Sequence, residues 1–156
     1  MVTTLSLDLV GIKLALAITG YQKNSDATLD EHWCNVELSL RMGDTINYRN
    51  KGEFLHSEEI EELRDAIGQL LSDEIKADCV LRFIEPDIEF ELSPKSDIRD
   101  NPSVLYIKPG VDPFIDISMD MRVYIYHEGY TANYLSVAFD REDIKQLWEY
   151  LVTITQ

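Results

Sequence analysis

The sequence predicts an α+β fold in which antiparallel β-hairpins form a largely antiparallel sheet and two amphipathic helices pack on it. Stretches of alternating apolar and polar residues favour half-buried strands, and the period changes to that of a helix at two places. Strands and helices do not alternate regularly, which argues against a parallel sheet. At 156 residues, of which 45% are hydrophobic, the chain is expected to form a single domain, residues 1–156.

The first part of the chain is predicted to consist of strands. Leu5 to Ile18 alternates like two strands, with Gly11 as a bend between them. Trp33 to Met42 follows the same period and places its apolar side chains on one face. Between these stretches, Gln22 to Glu31 is predicted to be a surface loop because it contains the turn formers Asn24, Ser25 and Asp26.

A helix is predicted to begin at Ser57, after a weaker extended piece near Ile46 and Tyr48. The Ser57 hydroxyl suits an N-cap, where it can accept a hydrogen bond from an unpaired amide. The apolar stripe of this helix has spacings of three and four and consists of Ile60, Leu63, Ile67, Leu70 and Leu71. Its opposite, acidic face carries Glu58, Glu61, Glu62 and Asp65.

The second part of the chain repeats this order of strands followed by a helix. Strands are predicted at Cys79 to Ile84 and Asp87 to Leu92, around a hinge at Glu85-Pro86, and a polar loop follows from Ser93 to Pro102. Further strands are predicted at Val104 to Lys108, Phe114 to Tyr126 and Tyr134 to Phe139, with a turn at His127-Glu128-Gly129.

A second helix is predicted to follow Asp140 as its cap, with a stripe formed by Ile144, Leu147, Trp148, Leu151 and Ile154. Residues 58–63 and 142–147 are similar in pattern. A duplicated unit of strands and a helix is one interpretation, and two unrelated amphipathic helices with ordinary caps is the other.

The chain is strongly acidic, with 29 Asp and Glu against 14 Lys and Arg and a formal charge of −15. Such a charge repels phosphates, so we expect neither nucleic acid nor a membrane surface as a partner. It attracts a basic protein, although solubility alone would also account for it. No export signal is visible near Met1, and Cys34 and Cys79 are expected to be reduced thiols, so a cytoplasmic location is predicted.

No recognisable catalytic motif occurs, and we predict a protein that is not an enzyme and has no cofactor, catalytic residue or metal ligand. His32, His56 and His127 belong to no known catalytic string, and solvated or capping roles are favoured for them. The carboxylates of Asp112, Asp116 and Asp120 form a weak candidate cation site, for which a solvated acidic face of a strand is the favoured alternative.

Two groups of side chains are candidates for contact with a protein partner. The acidic helix face of Glu58, Glu61, Glu62 and Asp65 could meet lysines and arginines, and the alternative is a solvated face. The tyrosines are the more suggestive group, because tyrosine is enriched at binding hot spots, although cross-strand packing is an alternative. They are Tyr124, Tyr126, Tyr130 and Tyr134.

Several short segments follow one another in a characteristic order. They are Gly20-Tyr21, then Asp30-Glu31-His32-Trp33 followed by a strand with Val36 and Leu38, the step from Leu55 to Leu63, and the stretch from Leu81 to Phe90 with its acid-proline hinge. In this order they resemble the WapI family of bacterial immunity proteins. The resemblance extends over about Ile18 to Leu92. It implies a cytoplasmic protein that binds and neutralises the toxic C-terminal domain of a polymorphic toxin, which cleaves tRNA in the founding system.

The leading hypothesis from the sequence is therefore an immunity protein that occludes a basic toxin domain. The resemblance implies that this toxin domain is a nuclease. One alternative is a regulatory module that binds a small ligand or assembles into a homo-oligomer. The other is a metal-assisted hydrolase that would use the histidines or the acids between Asp112 and Asp120, and two histidines clustered in a cleft would favour it.

Overall fold

A computed structural model describes residues 4–23 and 32–156 of the chain and confirms the α+β class. The strands described are β1 (Leu5–Leu9), β2 (Ile12–Thr19), β3 (Trp33–Met42), β4 (Ile46–His56), β5 (Cys79–Arg82), β6 (Ile88–Ser93), β7 (Ser96–Asp97), β8 (Phe114–Ile115), β9 (Ser118–Tyr126) and β10 (Tyr130–Phe139). The helices are α1 (Ser57–Leu71), α2 (Arg141–Ile154) and a short 3-10 helix (Ile98–Asp100).

The strands form two four-stranded antiparallel sheets. The first sheet is a meander in the order β1-β2-β3-β4 and is followed by α1. The second has the order β5-β6-β9-β10 and is followed by α2. It differs by an insertion between β6 and β9, residues 94–117, which we call the excursion and which contains the short β7-β8 pair. The order of strands and a helix occurs twice, in agreement with the duplicated unit, whose common origin stays an interpretation.

The two helices join the sheets through one hydrophobic core. Helix α1 contacts β4 and β6, α2 contacts β1, β9 and β10, and the helices contact each other. Gly68 lies where they approach, since a Cβ atom at that position would be 3.1 Å from Nε1 of Trp148. The predicted stripes account for most of the helix residues in the core, among them Ile60, Ile67 and Ile144, which are fully buried.

Helix α1 begins at the predicted residue, but its N-cap is His56 and not Ser57. Strand β4 continues to His56, so Ser57 is already helical, and its hydroxyl donates to the His32 carbonyl and accepts from the Gln22 amide. The side chain of Glu59 accepts from the His56 amide at 2.9 Å. The predicted cap of the second helix is confirmed, since the Asp140 carboxylate accepts from the Asp143 amide.

The excursion is where the strand predictions were wrong. Val104 to Lys108 does not form a strand, because no strand among residues 4–23 and 32–156 pairs with it. The polar loop predicted at Ser93 to Pro102 contains β7 and the 3-10 helix, and the predicted strand from Phe114 to Tyr126 is interrupted at residues 116–117. The turn at His127-Glu128-Gly129 is confirmed.

The predicted loop Gln22 to Glu31 falls largely outside the described residues, which omit 24–31 and with them Asn24, Ser25 and Asp26. Cys34 is buried, Cys79 is half-buried, and both are free thiols. Within the described part of the chain, no helix has the length and apolar character needed to cross a membrane.

Candidate functional site

Four tyrosines form a contiguous cluster on the outward face of the second sheet, and we call them the tyrosine cluster. Tyr124 lies 5.6 Å from Tyr130 and 5.3 Å from Tyr134, measured between ring centroids, and Tyr126 lies 6.0 Å from Tyr130. Register brings them together, because Tyr130 pairs with Tyr126 and Tyr134 with Tyr124. Tyr126, Tyr130 and Tyr134 are 44%, 53% and 49% exposed, so about half of each side chain is available to a partner.

A charged network supports one side of the tyrosine cluster. Arg122 pairs with Glu89 at 2.8 Å and with Glu91, and its guanidinium carbon lies 5.7 Å from the Tyr134 ring centroid. The Tyr124 hydroxyl donates to Glu89 at 3.2 Å. Burial, followed by the charge of Glu89, raises the pKa of Tyr124. The phenol therefore stays neutral near pH 7 and keeps the proton that it donates to Glu89.

Charged partners also hold Glu89 ionised, although it is buried. Burial alone would raise the pKa of this carboxyl, but hydrogen bonds from Arg122 and Tyr124 and the charge of Arg82 outweigh it and lower the pKa. A buried, paired carboxylate of this kind is a rigid acceptor. It holds the hydroxyl of Tyr124, the least exposed member of the tyrosine cluster, in place.

A hinge connects the tyrosine cluster with the start of α1. The Ile84 amide donates to the Glu59 carboxylate at 2.7 Å, and at the other end of the hinge the Asp87 carbonyl accepts from the Tyr124 amide at 2.9 Å. Pro86 lies between these two anchors. The hinge therefore joins the first turn of α1 to the tyrosine cluster, and a groove lined by Glu85, Asp87, Tyr124 and Tyr126 opens beside it.

Three of the four predicted acidic-face residues have partners within the chain. Glu61 accepts a hydrogen bond from the Tyr21 hydroxyl, whose pKa is raised to about 12 by burial and by that carboxylate. Asp65 pairs with Arg64 at 2.9 Å. Glu62 is exposed on the outer side of the helix. The acidic face of α1 is thus partly occupied by internal contacts, which sequence periodicity does not reveal.

Glu58 is the third acidic-face residue with partners within the chain, because it lies between two histidines. His32 and His56 are only 6% and 2% exposed, and their rings stack with centroids 5.2 Å apart. The solvated role that we favoured for His32 is therefore wrong, whereas His56 does occupy a cap position. His127 lies away from the pair, in the exposed turn between β9 and β10. Trp33 pairs with His56 across β3 and β4, and only this register could have predicted the histidine pair.

Two of the three acids of the weak candidate cation site have other roles. Asp116 forms a bidentate ion pair with Arg141 at the start of α2, with distances of 2.7 and 2.9 Å to the guanidinium nitrogens. The Asp112 carboxylate accepts from the Phe114 amide. Within the described ranges, the only group of at least three side chains arranged to hold a metal ion is that of His32, His56 and Glu58.

The excursion presents apolar side chains that the sequence prediction had assigned to strands. Leu105 is 95% exposed and Tyr106 is 75% exposed. Phe114 is also exposed and packs under Arg99, whose guanidinium carbon lies 5.4 Å from the ring centroid. Exposed apolar residues on a loop are frequent components of binding surfaces. The excursion is therefore a second candidate contact region, which the sequence analysis missed.

Two four-stranded antiparallel sheets, each followed by a helix, define an α+β protein, and its second sheet carries the exposed tyrosines that are typical of surfaces binding another protein. A sequence model of the "Immunity protein WapI-like family" matches residues 7–156. The chain therefore belongs to the WapI-like immunity protein family.

The match extends well beyond the stretch from Ile18 to Leu92 that carried the resemblance, and it includes the tyrosine cluster and α2. Membership in this family supports an immunity role, a cognate toxin as partner and a role without enzymatic activity. A comparison with curated proteins found no match.

Proposed function

We propose that this chain neutralises a cognate toxin by binding a basic toxin domain and covering the surface with which that domain, as a nuclease, would hold nucleic acid. The observation that carries the proposal is the exposed tyrosine cluster on an acidic member of an immunity family. The cytoplasm, where nucleic acids are the targets of such a toxin, is the proposed place of action.

Electrostatics supports a basic partner. The formal charge of −15 would steer a cationic domain toward the chain before any specific contact forms. A nuclease domain carries cationic residues where it binds phosphates. Carboxylates such as Glu62, which is exposed on α1, would pair with these residues and compete with the nucleic acid.

The tyrosines would supply most of the binding energy. Hot spots are commonly aromatic residues near the centre of an interface, and tyrosine orders few torsions on binding. Tyr126 and Tyr130 are about half exposed, while the network around Glu89 holds Tyr124 below them. A cluster held from below in this way would lose little conformational entropy in a complex.

The proposal is tested by co-expression of this chain with the toxin-like domain encoded beside its gene, with growth rescue and co-purification as readouts. We expect rescue and a stable complex. Failure of both would contradict the immunity role with this toxin. An in vitro nuclease assay of the domain, with and without the chain, distinguishes occlusion of the nuclease site from binding elsewhere.

Two variants, one in each candidate contact region, locate the interface. Tyr126→Ala combined with Tyr130→Ala removes two exposed rings of the cluster, whereas Tyr106→Ala removes one exposed ring of the excursion. We expect the cluster variant to weaken the complex at least about tenfold and the excursion variant to leave it unchanged. The reverse result would move the interface to the excursion and contradict the role proposed for the cluster.

The same purified chain can be used to test the two alternative functions, self-assembly and small-ligand binding. Light scattering of the purified chain alone gives its oligomeric state, and the groove beside Asp87 and Tyr126 is the place where a small ligand would protect side chains from modification. A complex with one chain per toxin domain, formed by a monomer, supports the immunity function.

A further inference from the structure

The first turn of α1 meets the ends of two strands, and three side chains capable of binding a metal converge there. Nδ1 of His32 lies 2.5 Å from Oε1 of Glu58, and Nδ1 of His56 contacts the other oxygen, Oε2. The three potential ligand atoms all lie within 4.8 Å of one another. We propose that His32, His56 and Glu58 form a binding site for Zn²⁺.

The donor set matches this ion. Zinc binds imidazole nitrogens and carboxylate oxygens, and sites with two histidines and one glutamate leave a fourth position for water. Neighbouring Glu59 does not compete for the ion, because its two oxygens accept from the amides of His56 and Ile84. Among the described residues, the site would therefore have three protein ligands, of which Glu58 lies on the side exposed to solvent.

The scaffold holds the two histidines rigidly. His32 directly precedes β3, His56 ends β4, and β3 pairs with β4 at Trp33 and His56. The edge of the Trp33 ring packs on His56 with a centroid distance of 5.3 Å. Ligands on strand ends with packed rings are already positioned, so an ion would need to order little else.

Glu58 has to move to admit the ion. With ligand bonds of about 2.1 Å, neighbouring ligand atoms of a tetrahedral site are about 3.4 Å apart. The present contacts between the imidazoles and the carboxylate are shorter than this separation. The Glu58 side chain is 58% exposed, so it can withdraw toward solvent while both rings stay packed.

The charge of the chain also favours a cation at this place. The Glu58 carboxylate brings a negative charge into the site itself, and Glu61 and Glu62 follow on the next turn of the helix. A divalent ion reverses the sign of the site while lying in the field of a chain with formal charge −15. This field raises the local concentration of cations. It also offsets the repulsion between the ion and the positive end of the α1 dipole.

The test uses the purified full-length chain without an affinity tag, stripped with chelator and titrated calorimetrically with ZnCl₂ near neutral pH. We expect one ion per chain and a rise of the thermal midpoint with Zn²⁺, but not with Mg²⁺. Glu58→Gln and His56→Gln should weaken binding at least about tenfold. Glu62→Gln and His127→Gln are matched controls with the same chemical changes elsewhere and should bind as the parent does.

Two further measurements keep the result decisive. A thermal transition recorded in chelator shows whether each variant folds, and if the buried His56→Gln variant does not, the exposed Glu58→Gln variant decides. The visible spectrum of the Co²⁺-loaded chain should show bands of four-coordinate geometry without a thiolate charge-transfer band. The proposal is overturned by absence of stoichiometric binding, by unchanged binding in Glu58→Gln, or by a thiolate band that assigns the ion to a cysteine. Because no toxin is present, these outcomes are independent of the proposed immunity function.

Discussion

The Ile18 amide in β2 donates a buried hydrogen bond of 2.9 Å to the hydroxyl of Tyr150 in α2. The described pairing of β1 with β2 ends at Leu5 and Leu16, two residues before Ile18. This contact joins the first sheet to the last helix across 132 residues of sequence.

Removal of this hydroxyl should destabilise the fold without opening a cavity. In Tyr150→Phe the Ile18 amide loses this buried acceptor, and we expect a decrease of about 1–3 kcal/mol in the free energy of unfolding. Urea denaturation measures the change, and Tyr106→Phe, at an exposed position, serves as control. A Tyr150→Phe variant as stable as the control would show that the bond contributes nothing net.

The effects on stability of substituting Gly68 and of substituting Trp148 should be coupled, because these residues approach each other where α1 meets α2. Alanine is favoured over glycine by about 1 kcal/mol inside a helix, but its Cβ atom at position 68 would press on the indole nitrogen at 3.1 Å. We therefore expect Gly68→Ala to stabilise the chain more in a Trp148→Phe background than in the parent. A double-mutant cycle from urea denaturation should give a coupling of at least about 0.5 kcal/mol, and additivity would contradict the close contact.

The ion pair of Asp116 with Arg141 should contribute stability only above acidic pH. Hydrogen bonds from Arg141 and from the Ile117 amide lower the pKa of Asp116 to about 2. The pKa of an aspartate in the unfolded chain is about 3.9. The ion pair therefore makes its full contribution to stability above that pH and loses it as the pH falls toward 2. Asp116 is 54% exposed in its side chain, which limits the contribution to less than about 1 kcal/mol.

Urea denaturation at several pH values checks this dependence. Asp116→Asn should be less stable than the parent near pH 7, and the difference should shrink steadily below about pH 4. Asp78→Asn, which changes an exposed aspartate, is the control and should show a smaller difference. A difference that stayed constant with pH would indicate that the carboxylate acts by its shape or hydrogen bonds and not by its charge.

Charge on α1 should affect how fast the toxin domain binds. We expect Glu62→Lys to reduce the association rate constant about two- to tenfold at low salt, with little change in dissociation, because exposed charges act mainly on encounter. Glu53→Lys changes the net charge equally at an exposed position of β4. If both variants slow association equally, the net charge and not the α1 face steers the partner.

The sequence was sufficient for features whose signal lies within one element. The stripe from Ile60 to Leu70 has the helical period, and Tyr124 and Tyr126 share a face because they are two residues apart in a strand. Their contact with Tyr130 and Tyr134 is a small extension, since the intervening turn signal was visible. These predictions depend on local periodicity, which a single sequence contains.

Features that depend on register or on tertiary partners could not be predicted. His32 and His56 meet only because β3 and β4 pair with Trp33 opposite His56. Glu61 and Asp65 fall on the outer face of the helix as predicted, but periodicity does not show that Tyr21 and Arg64 contact them. Val104 to Lys108 has strand-like residues and no partner strand among the described residues, and its side chains Leu105 and Tyr106 remain exposed.

Strand β4 passes into α1 without a connecting loop, since His56 is the last residue of the strand and Ser57 the first of the helix. The direction of the helix axis is therefore fixed by the first sheet, and no backbone segment at this junction is left to reorganise. Any partner that contacts the start of α1 would meet a backbone that the first sheet already holds in place, with only side chains such as that of Glu58 left to adjust. Association there would resemble the docking of two rigid bodies, with shape complementarity and not folding on contact as the source of selectivity.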